Sequence, residues 1–271
     1  GHPVWFRRRL PRDFQERQGV LRMSQRPSMT IFTVALGIAL CGASGILTGH
    51  RTWAAEPAAS GVRAAALGNL KAGRILFLGN SITLHGPSKA VSWSGNWGMA
   101  ASEREKDYVH VLTAAIAKML GHRPEILVDN IADFERHYDT FDVAARLKKH
   151  LAFKADLVIV AIGENVPALT SDASKAAFKK GLDTLLKTFK ANGNPTIVVR
   201  SCFWRNKPKD ELLKQACEDV GGVFVDIGTL GTDESNYARS ERSYAHAGVA
   251  AHPGDKGMKA IADAILGALK K

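Results

Sequence analysis

Three cysteines in 271 residues are too few for a disulfide-stapled scaffold. Cys41 lies in an apolar N-terminal stretch, which leaves Cys202 and Cys217 for the folded part. An oxidising compartment would permit a bridge between them. The pattern, however, sets Cys202 at the close of a strand and Cys217 two or more turns down the returning helix. At a rise of about 1.5 Å per residue that separation exceeds the ~7 Å Cα limit of a disulfide, so two separate, partly buried thiols are expected. Metal-binding spacings are missing too. His85, His110, His137 and His246 form neither an HxH nor an HExxH pattern, so no metal and no cofactor is expected. Internal repeats are absent. A basic cluster is also lacking in the main body of the chain. The net charge is +11, but residues 1–54 carry eight Arg and no Lys against Asp13 and Glu16. The remaining +5 is scattered Lys, which reads as a solvated face and excludes a nucleic-acid partner.

What is present begins with an address. Residues 1–22 precede Met23 and read as an upstream extension. Residues 23–54 hold Arg26, the uncharged apolar run Ile31–Leu47, and then Thr52-Trp53-Ala54, which resembles a signal-peptidase site. The run of 17 residues falls short of the ~20 that span a bilayer. Export to the periplasm or beyond is therefore expected, with an uncleaved N-terminal anchor as the sole route to a membrane. The mature N-terminus should fall near Ala55, which mass spectrometry of secreted protein reads directly; an intact N-terminus in the membrane fraction would favour the anchor. Residues 55–72, rich in Ala and Gly, read as a linker to one domain at 73–271.

Within that domain short apolar runs alternate with helical patterns. Strands are expected at Arg74–Gly79, Glu125–Asp129, Asp156–Ile162, Pro195–Arg200 and Val223–Asp226. Helices are expected at Asp107–Leu120, Thr140–Leu151, Ser171–Asn192, from Pro208 through Cys217, and at Asp255–Lys270, with Asp255 as N-cap of the last. Near-continuous apolar strands separated by helices imply a parallel sheet covered on both faces. The predicted fold is thus a three-layer α/β/α, flavodoxin-like domain of about five parallel strands. Ligands in such a sheet bind beyond the carboxyl ends of the strands, near the point where the strand order reverses.

Three loops at that edge carry residues suited to acyl chemistry. Ser81 follows the first strand in Leu78-Gly79-Asn80-Ser81-Ile82-Thr83. A Ser at such a turn displays its hydroxyl and its own N–H together, so one turn supplies a nucleophile and an oxyanion donor. The same residue type would also serve as a helix N-cap, and the turn alone leaves both readings open. A base is offered by His252 in Ala251-His252-Pro253-Gly254-Asp255, immediately before the final helix. Gly163-Glu164-Asn165 follows the third strand, where Gly permits a sharp turn and an Asn amide can face a developing oxyanion.

In this order the three pieces resemble the SGNH/GDSL hydrolase family, in its broad bacterial lipase/esterase-like branch, over about Arg74 to Leu269. Gly79-Asn80-Ser81-Ile82-Thr83 is similar to the family's GDSIT block with Asn in place of Asp, which implies Ser81 as nucleophile. Gly163-Glu164-Asn165 matches the GxN block, which implies the Asn165 side chain as an oxyanion donor. His252-Pro253 matches the last block and implies His252 as general base. Three departures stand beside the match. The Gly block after the second strand is replaced by Asn130-Ile131-Ala132-Asp133-Phe134-Glu135, where spacing assigns the oxyanion N–H to Glu135. Val166 follows the GxN block in place of Asp. Val249 occupies the position of the triad acid, three residues before His252.

The expected machinery is consequently a Ser–His dyad whose imidazole is steadied by a backbone carbonyl, with Asp255 and the acids of Gly231-Thr232-Asp233-Glu234 as other orienting groups. Without a neighbouring carboxylate, His252 should titrate near the ordinary ~6.5. Trp93 and Trp97, on the loop after Ser81, either stack on sugar faces or pack inward as a lid; Trp204 would complete an aromatic rim. Glu164 at the strand mouth either touches substrate or solvates a turn. The resemblance implies an exported serine esterase acting on small-molecule or polysaccharide esters, with acetyl groups on carbohydrate favoured. The alternatives are a polysaccharide O-acetyltransferase and a glycan-binding protein on a decayed hydrolase scaffold.

Overall fold

The computed structural model describes residues 70–271; the extension, the signal segment and residues 55–69 of the linker lie outside the described residues. Five strands form one sheet: β1 Arg74–Gly79, β2 Glu125–Asn130, β3 Leu157–Ala161, β4 Thr196–Arg200 and β5 Val223–Val225. All neighbours pair in parallel, in the order β2-β1-β3-β4-β5. Parallel strands need helical crossovers, and among the described residues α1 Tyr108–Leu120, α2 Ala132–Arg136, α3 Val143–Arg146, α4 Lys148–Ala152, α5 Asp172–Ala191 and α6 Lys207–Asp219 supply them; α7 Ala247–Ala250 and α8 Asp255–Leu269 follow β5.

The period-2 geometry of the strands divides the core into two layers. Ile75, Phe77, Leu157, Ile159, Ala161 and Val198 face α1 and α8, meeting Leu112, Ile116, Ile261 and Ile265. Leu76, Leu78, Val158, Val160, Ile197 and Val199 face the other way, onto Phe178, Leu182, Leu185 and Leu213 of α5 and α6. β1 and β3 are buried on both faces, which is why they read as unbroken apolar runs. Helix ends follow local chemistry. The Asp107 carboxylate accepts the His110 N–H at 2.8 Å to open α1, and Gly121, at φ 75°, closes it. Ser171 and Ser174 make a reciprocal capping box on α5.

The expected helix over Thr140–Leu151 is instead two short ones, α3 and α4, interrupted at Leu147 with φ −107° and ψ 21°. The break lets Leu147 stay in the core while His150, 1% exposed, reaches the Asp129 carboxylate at 2.7 Å on the edge strand. The loop expected after β2 contains α2, a short helix with consequences below. Cys202 and Cys217 are both free thiols and both fully buried, more so than expected. Burial pushes the Cys217 thiol up to about 11 and the Cys202 thiol further still. Among the described residues no helix is long and apolar enough to cross a membrane, and no three His, Cys, Asp or Glu side chains are grouped to hold a metal ion.

Candidate active site

The strand order reverses between β1 and β3: the chain leaves β1 for β2 on one side and returns to β3 on the other. The carboxyl ends of these two strands present Ser81 and Gly163-Glu164-Asn165. Gly79 ends β1 where a Cβ would come within 1.8 Å of the Thr83 Oγ1, so no other residue fits. The Asn80 carbonyl then accepts from Thr83 and Leu84, both at 2.9 Å, and its side-chain oxygen accepts the Ile82 N–H at 3.1 Å. The segment is a tight turn and not the start of a helix, which removes the N-cap reading of Ser81. Among the described residues no acceptor takes the Ser81 N–H.

His252 arrives from the far end of the chain. Its backbone is held by His252 N–H to the Val249 carbonyl at 3.0 Å and by Ala238 N–H to its own carbonyl at 2.9 Å. Its Nε2 lies 2.8 Å from the Ser81 Oγ, and its Nδ1 lies 2.7 Å from the Gly248 carbonyl oxygen. A carbonyl only accepts, so Nδ1 carries the proton and the Nε2 lone pair faces the Ser81 hydroxyl. The Trp204 ring stands edge-on to the imidazole at 5.4 Å and 90°. Burial lowers the His252 pKa below its ordinary 6.5; the Gly248 carbonyl and the negative charge of Glu164 offset this in part.

The position of the expected triad acid is filled structurally. Val249 is 2% exposed and packs with Met99, Ala100 and Ala238. Asp255 is not the cap of α8, which begins from Gly254 without a side-chain cap. Its carboxylate accepts from the Ser102 N–H at 2.7 Å and hydroxyl at 2.6 Å and meets Arg242 at 3.1 Å, tying the long loop after β1 to α8. It makes no hydrogen bond to His252, so Asp255 is not its orienting acid.

Ser81, His85, Asn130, Arg136, Asn165 and His252 share one cavity of about 530 Å³, with Val91, Met99 and Val249 forming an apolar wall. Glu164, Trp93, Trp97 and Glu135, also designated from the sequence, do not line it. Glu164, expected to touch substrate, has a side chain only 3% exposed. It pairs with Arg200 at 2.6 Å and accepts from the Phe203 N–H at 2.9 Å and Asn80 Nδ2 at 2.7 Å. Burial alone would raise its pKa, but the Arg200 charge beside it holds it below the usual carboxylate range. Trp93 and Trp97 pack edge-to-face on each other, 5.6 Å apart. Their indole N–H groups donate to the His85 and Ala101 carbonyls at 2.9 and 3.0 Å, so they stiffen the loop as a packed lid and offer no stacking face to the cavity.

Glu135 is the fourth. It lies on α2, fully buried, and α2 faces the cavity with Ala132, Asp133 and Arg136. Its carboxylate, not its N–H, is directed at the site: it accepts from Gly163 N–H at 2.6 Å, Asn165 N–H at 3.1 Å, Asn80 Nδ2 at 3.1 Å and Asn165 Nδ2 at 2.7 Å. Burial, reinforced by the Glu164 charge, pushes its pKa up. Asn80 therefore bridges two buried acids. An Asp at position 80 would place a third carboxylate here with no compensating donor. Arg200 and Asn80 were not singled out in the sequence, although a charged residue closing the buried run Thr196-Ile197-Val198-Val199-Arg200 was a legible signal.

The five-stranded parallel α/β sandwich thus carries a serine–imidazole pair at its switch point. No protein-family model and no curated protein matches the sequence. Among solved structures, a family two carbohydrate esterase from Cellvibrio japonicus is similar at 18% identity and a TM-score of 0.42, over 73% of this chain and 61% of that one. An acetyl xylan esterase from the rumen bacterium Butyrivibrio proteoclasticus is similar at 14% identity and 0.46, over 73% and 63%. A GDSL-like lipase candidate from Bacteroides uniformis is similar at 12% and 0.45, over 72% and 93%. The chain thus spans less than two thirds of the length of either esterase.

Proposed function

We propose that the chain is a serine ester hydrolase working through a Ser81–His252 dyad. The observation that carries this reading is the 2.8 Å contact between Ser81 Oγ and His252 Nε2, with the tautomer set by the Gly248 carbonyl. Ser81 Oγ attacks the ester carbonyl carbon while His252 Nε2 takes its proton. The carbonyl electrons move onto oxygen, facing the Ser81 N–H and an Asn165 Nδ2–H. Collapse breaks the bond to the alcohol, which leaves with the proton from His252. Water, deprotonated by His252, then attacks the acyl-Ser81 and frees the carboxylic acid. The Gly248 carbonyl orients the imidazole and stabilises the imidazolium with a dipole in place of a full charge.

The apolar wall of Val91, Met99 and Val249 suits a short acyl group such as acetyl. The mouth, with Asn130, Arg136 and His246, suits a polar alcohol, and an acetylated carbohydrate meets both requirements. The signal-like segment at 23–54 supports export. Short-chain aryl esters together with labelled acetylated polysaccharide test the reading: free acetate is expected. Acetyl transferred to a sugar hydroxyl would indicate a transferase, and neither outcome a binding protein.

The pH dependence follows from His252. The base must be neutral, and burial lowers its pKa, so kcat/KM should rise with pH through a midpoint below 6.5 and hold a plateau above it. A midpoint clearly above 7 would require a carboxylate at the imidazole and would contradict the Gly248 contact.

A further inference from the structure

We propose that Glu135 is the positioning residue of the oxyanion hole, its buried carboxylate aiming the free N–H of the Asn165 side-chain amide into the cavity beside Ser81. This rests on the ester-hydrolase reading. The Glu135 Oε1 accepts from the backbone amides of Gly163 and Asn165, and its Oε2 accepts from Asn165 Nδ2 at 2.7 Å. An ionised carboxylate only accepts, so the amide edge facing it must be Nδ2 and not Oδ1. With one Nδ2–H spent on Glu135, the second is directed elsewhere, and Asn165 borders the cavity with Ser81 and His252. A side-chain amide in its place, which both donates and accepts, would not choose between the two faces of that amide.

The rest of the loop is held from the opposite side. Lys209, 7% exposed, donates its Nζ to the Gly163 carbonyl at 3.2 Å and the Val166 carbonyl at 2.5 Å. Donors of residues 163–165 thus go to an anion and acceptors of residues 163–166 to a cation, so the segment is gripped by both polarities. Among the described residues no cation pairs with Glu135, because Arg200 is taken by Glu164. A carboxylate buried on amides alone is costly to keep. For mere filling an apolar side chain would serve as well. Orienting an amide is a task that an acceptor-only carboxylate performs and an apolar side chain does not.

The test is a double-mutant cycle on turnover of p-nitrophenyl acetate. In Glu135→Gln one oxygen still serves the backbone amides, but the new NH2 faces Asn165 Nδ2, donor against donor, and the Asn165 amide turns over. Expected is a fall in kcat of about 10²–10³-fold with KM changed less than threefold, as for loss of one oxyanion donor. Asn165→Ala should fall similarly, and the double variant should be no slower than Asn165→Ala alone. A loss in the double variant equal to the product of the single losses would overturn the proposal, as would a folded Glu135→Gln enzyme with kcat within threefold of wild type.

Should Glu135→Gln not fold, Glu135→Asp, which withdraws the carboxylate by one methylene, enters the same cycle. The ¹⁵N spectrum of the unsubstituted protein is an independent arm. The Asn165 side-chain amide, identified by its loss in Asn165→Ala, should give two well-separated proton signals, one protected from exchange. Fast exchange of both protons would overturn the assignment. An active wild type with an additive cycle refutes Glu135 alone; a folded wild type inert to every ester removes the hydrolase reading and this one with it.

Discussion

Replacing Ser81 by Ala is expected to lower ester turnover by about 10⁴- to 10⁶-fold, the range found when a catalytic serine is deleted from an otherwise intact site. The variant should fold. The Ser81 side chain is half-buried and, among the described residues, its only hydrogen bond is the one to His252. Its structural contribution is its backbone carbonyl, which accepts the Met99 N–H at 2.8 Å and survives the substitution. The thermal midpoint should consequently move by only a few degrees, while steady-state hydrolysis of an aryl acetate disappears into background. A folded Ser81→Ala protein with wild-type turnover would remove the nucleophile and with it the whole dyad mechanism.

Glu164→Ala should produce the largest change in stability, a loss of about 3–5 kcal/mol, the usual cost of removing one partner of a buried ion pair. Arg200 is fully buried and, among the described residues, Glu164 is the only carboxylate paired with it. Its Nη1 otherwise reaches only the Ser201 carbonyl at 2.8 Å, and its Nη2 the Ala161 carbonyl at 3.4 Å. The substitution also strands the Phe203 N–H and one donor bond of Asn80. Urea unfolding of both proteins at neutral pH gives the difference directly. A loss under 1 kcal/mol would mean that water or a rearranged backbone satisfies Arg200. Because the folded-state pKa of Glu164 is depressed, the pair's contribution is present above the unfolded carboxylate value of 4.5 and is lost as pH falls further. The difference between the two proteins should therefore narrow in acid.

Glu164 also shows why sequence position alone misassigned part of the site. A Glu at a strand mouth faces the ligand edge of the sheet, so a substrate contact was a reasonable expectation. Whether it turns outward or inward depends on Arg200, 36 residues later, and on Asn80, 84 residues earlier. Nothing local to Gly163-Glu164-Asn165 encodes either partner. Trp93 and Trp97 were open between lid and sugar platform for the same reason. Their indole donors found backbone carbonyls at His85 and Ala101 within the same loop, and only the folded path of that loop brings those carbonyls round. The Thr140–Leu151 segment has helical periodicity throughout, yet the pull of Asp129 on His150 accompanies a break that periodicity does not anticipate.

What the sequence determined by itself is whatever follows from local pattern and chain order. Continuous apolar runs specify β1, β3 and β4, because a strand buried on both faces has no polar side to show. Asp107 and Ser171 mark helix starts, because capping is chemistry within three residues. Gly79-Asn80-Ser81 after β1 and His252 before α8 fall at one edge of the sheet, because a parallel sheet brings all its strand ends of one kind to one side. Tertiary structure alone decided how the polar groups at that edge pair. The imidazole takes the Gly248 carbonyl, Asp255 takes Ser102 and Arg242, and Asn80 lies between Glu135 and Glu164. A buried polar group must find a partner or bear the full cost of desolvation. Its partner is whichever complementary group the packed layers bring within 3 Å, and for Ser81 that is a histidine 171 residues away.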